Sequence, residues 1–203
     1  MHLEGGMRIS LLTAFLAIGL SGATAVMPLA QTPRRHPPPE RDVVEQFTQR
    51  VDAYVALHRA AERELPPLPD KATPEQITKS KVSLAEAIRQ ARPAPERGEL
   101  FVPGMEAYVR ILMKLVFSGP DGVAMRETIT DSESNPAGLR VAVNDAYPTE
   151  LPLSTMPPDV LAALPKLPEE LEYRFVGTAL VLLDTHADLI VDFVPDALSL
   201  TMR

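Results

Sequence analysis

The apolar pattern of this chain changes from helical to strand-like at Gly138. Before this residue, apolar positions recur at steps of three and four, as on one face of an α-helix. After it, apolar and polar residues alternate, most clearly in the run Leu171–Phe175. Such alternation gives a strand one buried and one solvated face. Helices followed by strands predict an α+β fold with an antiparallel sheet, rather than alternating βαβ units.

Three helices and a short fourth are predicted, over residues 42–65, 74–92, 103–117 and 121–131. Asp42 and Glu45 have the spacing of a capping box, and Thr73 precedes a proline at a first helical position. The inner faces of the first two helices are predicted to contain Val44, Phe47, Val51, Tyr54, His58, Ala61 and Leu65, and Ile77, Leu84 and Ile88. The short connection between these two helices favours an antiparallel pair.

The third predicted helix is apolar on most of its sides. Its apolar residues are Met105, Val109, Ile111, Leu112, Met113, Leu115, Val116 and Phe117. A helix of this kind is usually surrounded by other elements. We therefore expect it at the centre of an N-terminal antiparallel helical bundle formed by residues 41–131.

Four strands are predicted in the second part, over residues 139–143, 171–175, 180–183 and 189–194, together with a short helix over 159–164. Gly177-Thr178 suits a two-residue turn between the second and third strands. In the last strand we expect Leu189, Val191 and Phe193 on one face and Asp192 on the other. We expect the helices to cover one face of the sheet. The strand-rich part is predicted over 139–198, within a single domain of residues 41–200.

The N-terminus has the layout of a secretory signal peptide. Arg8 precedes the apolar run Ile9–Leu20, and Ala23 and Ala25 form a small-residue cleavage site. We predict that residues 1–25 are the signal peptide, cleaved after Ala25, and that residues 26–40 are a proline-rich linker. The alternative is an uncleaved anchor, but the apolar run is shorter than the roughly 20 residues that span a bilayer. The expected product is soluble, without a membrane span, in the periplasm or the medium.

Two C-terminal segments carry a resemblance. Residues 171–177 (LEYRFVG) and 186–193 (HADLIVDF) resemble the C-terminal part of a group of uncharacterised exported bacterial proteins. The helix end over residues 54–67 is similar too. The resemblance implies export and a bacterial source. Because that group has no assigned activity, the resemblance implies no catalytic residues.

Charge and cysteine content exclude several classes of protein. The chain has 20 Lys+Arg against 27 Asp+Glu, a net charge of −7. An acidic chain is poorly suited to nucleic acid, whose binding needs clustered bases. The absence of cysteine excludes a lipid-modified cysteine anchor, disulfides and zinc–thiolate sites. Neither a G-x-S-x-G elbow nor a phosphate-binding G-x-x-x-x-G-K-[ST] loop is present.

The candidate catalytic or metal-ligating residues are Asp184, His186 and Asp188, with Asp192 four residues further on. In an extended chain, residues two apart point the same way. Two carboxylates and an imidazole on one side suit a divalent metal, or a histidine acting as general base. The alternative is a turn between two strands, in which the aspartates accept hydrogen bonds from nearby backbone N–H groups.

His58 is the other histidine in the predicted domain. It lies on the apolar face of the first helix, and two interpretations stay open. One places it beside His186 in space, and the other makes it a residue at the edge of the core with a single hydrogen bond. A site with three histidines would also need His36 from the linker.

The sequence favours an exported envelope protein that acts without catalysis, as a binding or assembly module. Its expected partner is another envelope protein, with no nucleic acid and no cofactor. The alternative is a metal-binding protein or hydrolase that holds a divalent metal with Asp184, His186 and Asp188. Neither the oligomeric state nor the presence of an enzymatic activity follows from the sequence.

Overall fold

The computed structural model describes residues 40–130, 140–147 and 156–199, without the side chains of residues 40 and 120. In these residues helices precede strands, which confirms the α+β prediction. The helices are α1 (Glu40–Arg63), α2 (Pro74–Ala91), α3 (Pro103–Phe117), α4 (Pro120–Thr130) and α5 (Pro158–Ala163). The strands are β1 (Leu171–Val176), β2 (Ala179–Asp184) and β3 (Leu189–Val194). The predicted signal peptide and residues 26–39 lie outside the described residues.

The sheet is antiparallel, in the order β1-β2-β3. Val176 pairs with Ala179, so Gly177 and Thr178 form the predicted two-residue turn. Gly177 has a φ of 60°, the left-handed value that the first central residue of a type II′ turn requires. Glycine adopts this conformation without the steric cost of a Cβ atom.

A β-bulge in β3 changes the face on which its side chains lie. Leu182 pairs with Asp192 and Leu183 with Ile190, which leaves Val191 as an extra residue. Val191 and Val194 therefore both belong to the main core, whereas Phe193 packs on the opposite face. The prediction that Phe193 shares a face with Leu189 and Val191 is wrong, because simple alternation does not continue through a bulge.

The helices cover one face of the sheet, as predicted. The main core combines the inner faces of α1, α2 and α3 with side chains from all three strands. On the opposite face, a smaller apolar cluster contains Val181 and Ile190, covered by Val141 and Tyr147. Both faces are therefore buried over part of their area. This is consistent with β2, in which every residue is buried.

The start of α1 differs from the prediction. The helix begins at Glu40, so Asp42 lies inside its first turn and is not the capping residue. Glu40 and Arg41 are good helix formers, and acidic residues near the start suit the helix dipole. Val43 is buried instead of Val44.

The start of α2 agrees with the prediction. Thr73 caps the helix, and Gln76 completes a capping box. Leu84 and Ile88 are buried as predicted, but Ile77 is exposed because the first turns of α2 extend beyond the core.

The helices α1 and α2 run in opposite directions. The guanidinium of Arg92, just after α2, lies 5.8 Å from the ring centroid of Tyr54. Lys81, earlier in α2, bonds to the turn that contacts the later part of α1. The predicted antiparallel pair is therefore confirmed.

The position of α3 corrects another prediction. Met105, Val109 and Met113 are buried, but Ile111 and Leu115 are 59% and 68% exposed. The helix therefore has one buried face and is not surrounded. The apolar residues on its other sides misled the prediction, because apolar side chains also occur singly on protein surfaces. The short predicted helices near residues 121–131 and 159–164 are present as α4 and α5.

The strand predicted over residues 139–143 is wrong for the part that the structure describes. Residues 140–143 contain no strand, and residues 131–139 lie outside the described residues. A single bridge joins Ala146 to Leu189 instead. Asn144 turns the backbone there with a φ of 65°, which prevents a regular strand from continuing.

Asp192 joins the sheet to the connection between α2 and α3. Its buried carboxylate accepts hydrogen bonds from the backbone N–H groups of Gly98, Leu100 and Phe101, at 2.8–2.9 Å. Such bonds to a carboxylate are stronger than neutral ones. Asp192 is therefore a structural residue. In the described parts of the chain, no helix has both the length and the apolar character needed to cross a bilayer.

Candidate functional site

The candidate site is built around Asp184, the last residue of β2, which is completely buried. Its Oδ2 accepts a hydrogen bond of 2.8 Å from the Tyr54 hydroxyl and one of 2.6 Å from Nδ1 of His58. Both donors lie on α1, one turn apart. Burial, followed by the charge of Asp184, raises the pKa of Tyr54 above its usual range, so its hydroxyl keeps the proton that it donates.

The second oxygen of Asp184 holds the turn between β2 and β3. Oδ1 accepts hydrogen bonds from the backbone N–H groups of His186 and Ala187, at 3.1 and 2.9 Å. Residues 185–188 form a turn and are not extended. The turn interpretation of this segment is therefore confirmed, and Asp184 connects it to α1.

The three predicted site residues point to different partners. Asp184 faces the core, as described above, whereas Asp188 pairs with Lys81 at 2.8 Å. His186 lies beside Glu62 on α1, with its Nδ1 3.7 Å from Oε1 of Glu62. The prediction placed Asp184, His186 and Asp188 on one side because residues two apart point the same way in an extended chain. The chain turns here, so the three side chains do not share one side.

His58 and His186 do meet, and Glu62 lies between them. The two imidazole centroids are 5.4 Å apart, and Nε2 of His58 lies 3.8 Å from Oε2 of Glu62. One ligand atom from each of the three residues lies within 4.8 Å of the other two. His58 and Glu62 are four residues apart on α1, so they share one helix face.

The ring of His58 has one satisfied and one unsatisfied nitrogen. Nδ1 bonds to a carboxylate oxygen, which places a proton on Nδ1. Nε2 is buried and has no hydrogen-bond partner. Buried polar atoms are uncommon in this state, and a bound ion is one of the partners that can satisfy them. Here the nitrogen faces Glu62 and His186.

This arrangement fits a tetrahedral metal ion. Bonds of 2.0–2.2 Å to nitrogen and oxygen separate neighbouring ligand atoms by about 3.4 Å. Nε2 of His58 lies 3.8 Å from Oε2 of Glu62, and Nδ1 of His186 lies 3.7 Å from Oε1 of the same carboxylate, so each imidazole is near this separation from one of its two oxygens. Metal-binding histidines usually donate their other N–H to a carboxylate, which fixes the tautomer and the ring. Asp184 occupies this position behind His58.

The environment of His58 also affects its protonation. Burial alone would lower its pKa, because burial disfavours the imidazolium. The hydrogen bond and charge of Asp184 outweigh this effect, with help from Glu62 and Glu170, and the pKa of His58 lies above its ordinary value of 6.5. A metal ion would therefore compete with a proton for Nε2.

Glu170 and Arg59 support the site from the side of β1. Nε of Arg59, next to His58 in α1, lies 2.5 Å from Oε1 of the buried Glu170. Burial would raise the pKa of Glu170, but its bonds and the charge of Arg59 lower it. The carbonyl of Glu170 also accepts bonds from the backbone N–H and hydroxyl of Thr185. The turn is therefore attached to both α1 and β1.

The sequence reasoning named His58 and His186 but missed Glu62. The sequence contains one indication of Glu62: it lies four residues after His58, and therefore on the same face of an amphipathic helix. Many exposed glutamates have such spacing to a histidine, and only the placement of the turn makes this one distinctive.

Comparison of the chain with protein-family models, with curated proteins and with solved structures gives no match.

Replacing His58 with Gln tests the raised pKa. A histidine whose pKa is raised in the folded state stabilises the protein fully below its unfolded value of about 6.5, and this contribution is lost as the pH rises through the folded pKa. We expect the difference in unfolding free energy between wild type and His58→Gln to be largest near pH 5.5 and to shrink toward pH 8.5. Urea titrations with a chelator present measure it. A difference that stays constant or grows with pH would contradict the raised pKa.

Proposed function

We propose that the protein binds one divalent transition metal ion through His58, Glu62 and His186. The observation that carries this proposal is the buried Nε2 of His58, which lacks a partner and faces the other two side chains. The carboxylate of Asp184 on the opposite nitrogen supports it, because this bond directs the lone pair of Nε2 toward the proposed ion.

The ligand set indicates the class of metal. Two imidazoles and one carboxylate suit zinc and its neighbours copper and nickel, whereas calcium and magnesium prefer oxygen ligands alone. Three protein ligands leave one position of a tetrahedral ion for water or an incoming group. The proposal concerns metal binding alone.

We further propose that the protein works outside the cytoplasm, as an exported envelope protein. The charged start, short apolar run and small-residue site of residues 1–25 support this part of the proposal. Imidazole and carboxylate ligands, in a chain without cysteine, suit an oxidising compartment because they are not lost to disulfide formation. Another envelope protein remains the partner that we propose.

Zinc binding to the purified domain tests the metal site. We expect one zinc ion per chain by calorimetry at pH 7.5. His58→Gln, Glu62→Gln and His186→Ala should each weaken binding by at least about tenfold, since each removes a ligand. Asp188→Asn is the matched control: Asp188 is in the same turn, but its partner is Lys81, and asparagine tolerates its φ of 47°.

Two results would contradict the proposed metal site. No zinc uptake by the folded wild type would contradict the metal site. An Asp188→Asn variant that loses as much affinity as His186→Ala would point instead to the trio predicted from sequence. Circular dichroism of each variant shows whether it is folded.

Expression of the whole chain in a bacterium with two membranes tests export. We expect the protein in the periplasmic fraction, with Val26 as its first residue by N-terminal sequencing. Replacing Ala25 with a large residue should block cleavage, because the signal peptidase accepts only small residues there. A cytoplasmic product that retains residues 1–25 would show that the export proposal is wrong.

A further inference from the structure

We propose that the metal ion is a cargo that this protein exchanges with other nitrogen or oxygen ligands, and not a permanent structural ion. The inference rests on the proposed metal binding and adds a function to it, that of a metal carrier. The receiving group would be an imidazole or carboxylate of a partner protein, because these ligands match the ones that the site offers.

The ligands are exposed on one side only. The side chain of His58 is 0% exposed, whereas those of Glu62 and His186 are 52% and 44% exposed. An ion bound by these three residues would therefore have one buried ligand, Nε2 of His58, and two ligands at the surface, from Glu62 and His186. A competing ligand can approach Glu62 and His186 from solvent without displacing any part of the core.

The local fold is held by bonds that do not involve the proposed ion. Asp184 attaches the turn to α1 through four hydrogen bonds, and Lys81 binds both the carbonyl of Thr185 and the carboxylate of Asp188. Neither Glu62 nor His186 contributes its side chain to these bonds. In structural zinc sites, by contrast, metal binding supplies the free energy of folding. Here the ion can leave without unfolding the chain.

The coordination number gives a route for transfer. A tetrahedral ion with three protein ligands has one position for an external group. A ligand from a partner can bind there first, in place of water, after which Glu62, His186 and finally Nε2 of His58 dissociate as further ligands of the partner bind. The charges balance in this step, because the ion moves with its charge and no electron is transferred. Release by this route is faster when more of the competing ligand is present.

Stopped-flow mixing of the zinc-loaded protein with the chromogenic chelator 4-(2-pyridylazo)resorcinol tests the proposal. We expect the release rate to rise with chelator concentration. It should also exceed the unfolding rate of the metal-free protein by at least about a hundredfold, since small domains unfold slowly in water. The thermal unfolding transition of the metal-free protein should stay cooperative, as in a folded domain. Asp188→Asn, which keeps all three ligands, should release zinc at a similar rate.

The two proposals fail in different ways. A folded chain that takes up no zinc overturns both of them. A chain that binds zinc but releases it at the unfolding rate, independently of chelator concentration, overturns the carrier proposal and leaves metal binding intact. Loss of the cooperative thermal transition on removal of zinc would likewise show that the ion is structural.

Discussion

The buried carboxylate of Asp184 holds together the parts of the molecule on which the site depends. One oxygen accepts from Tyr54 and His58 on α1, and the other from the backbone of the turn that carries His186. Removing a buried charge from such a network leaves several donors without partners, which costs far more than the net value of one bond. The distance between the two histidines is therefore set by a group that is not itself a proposed ligand.

Asp192 has a comparable role on the neighbouring strand β3, where it pairs with Leu182. It binds three backbone N–H groups of the connection between α2 and α3, and so fixes the helical layer to β3. The two aspartates are fully buried and lie on adjacent strands. Asp184 joins the sheet to α1, and Asp192 joins it to the connection between α2 and α3. This chain has no disulfides. Buried carboxylates, together with apolar packing, provide the precise attachments between its layers.

The sequence predicted the features that depend on local residues. The order of helices and strands, the Thr73 cap and the turn at Gly177 follow from spacing and backbone preference, and the structure confirms them. The bulge at Val191 does not, because it depends on pairing between strands. The same holds for the site: His58 and His186 were named, but the contribution of Glu62 appears only when the turn is placed against α1.

A crystal structure of the zinc-soaked protein, with anomalous data at the zinc edge, locates the bound ion and its ligands. The proposed metal site predicts one strong peak at about 2.0–2.2 Å from Nε2 of His58, Nδ1 of His186 and a carboxylate oxygen of Glu62, with Asp184 still bonded to Nδ1 of His58. A peak held instead by Asp184 or Asp188, or no peak near His58 in a folded crystal, would contradict it.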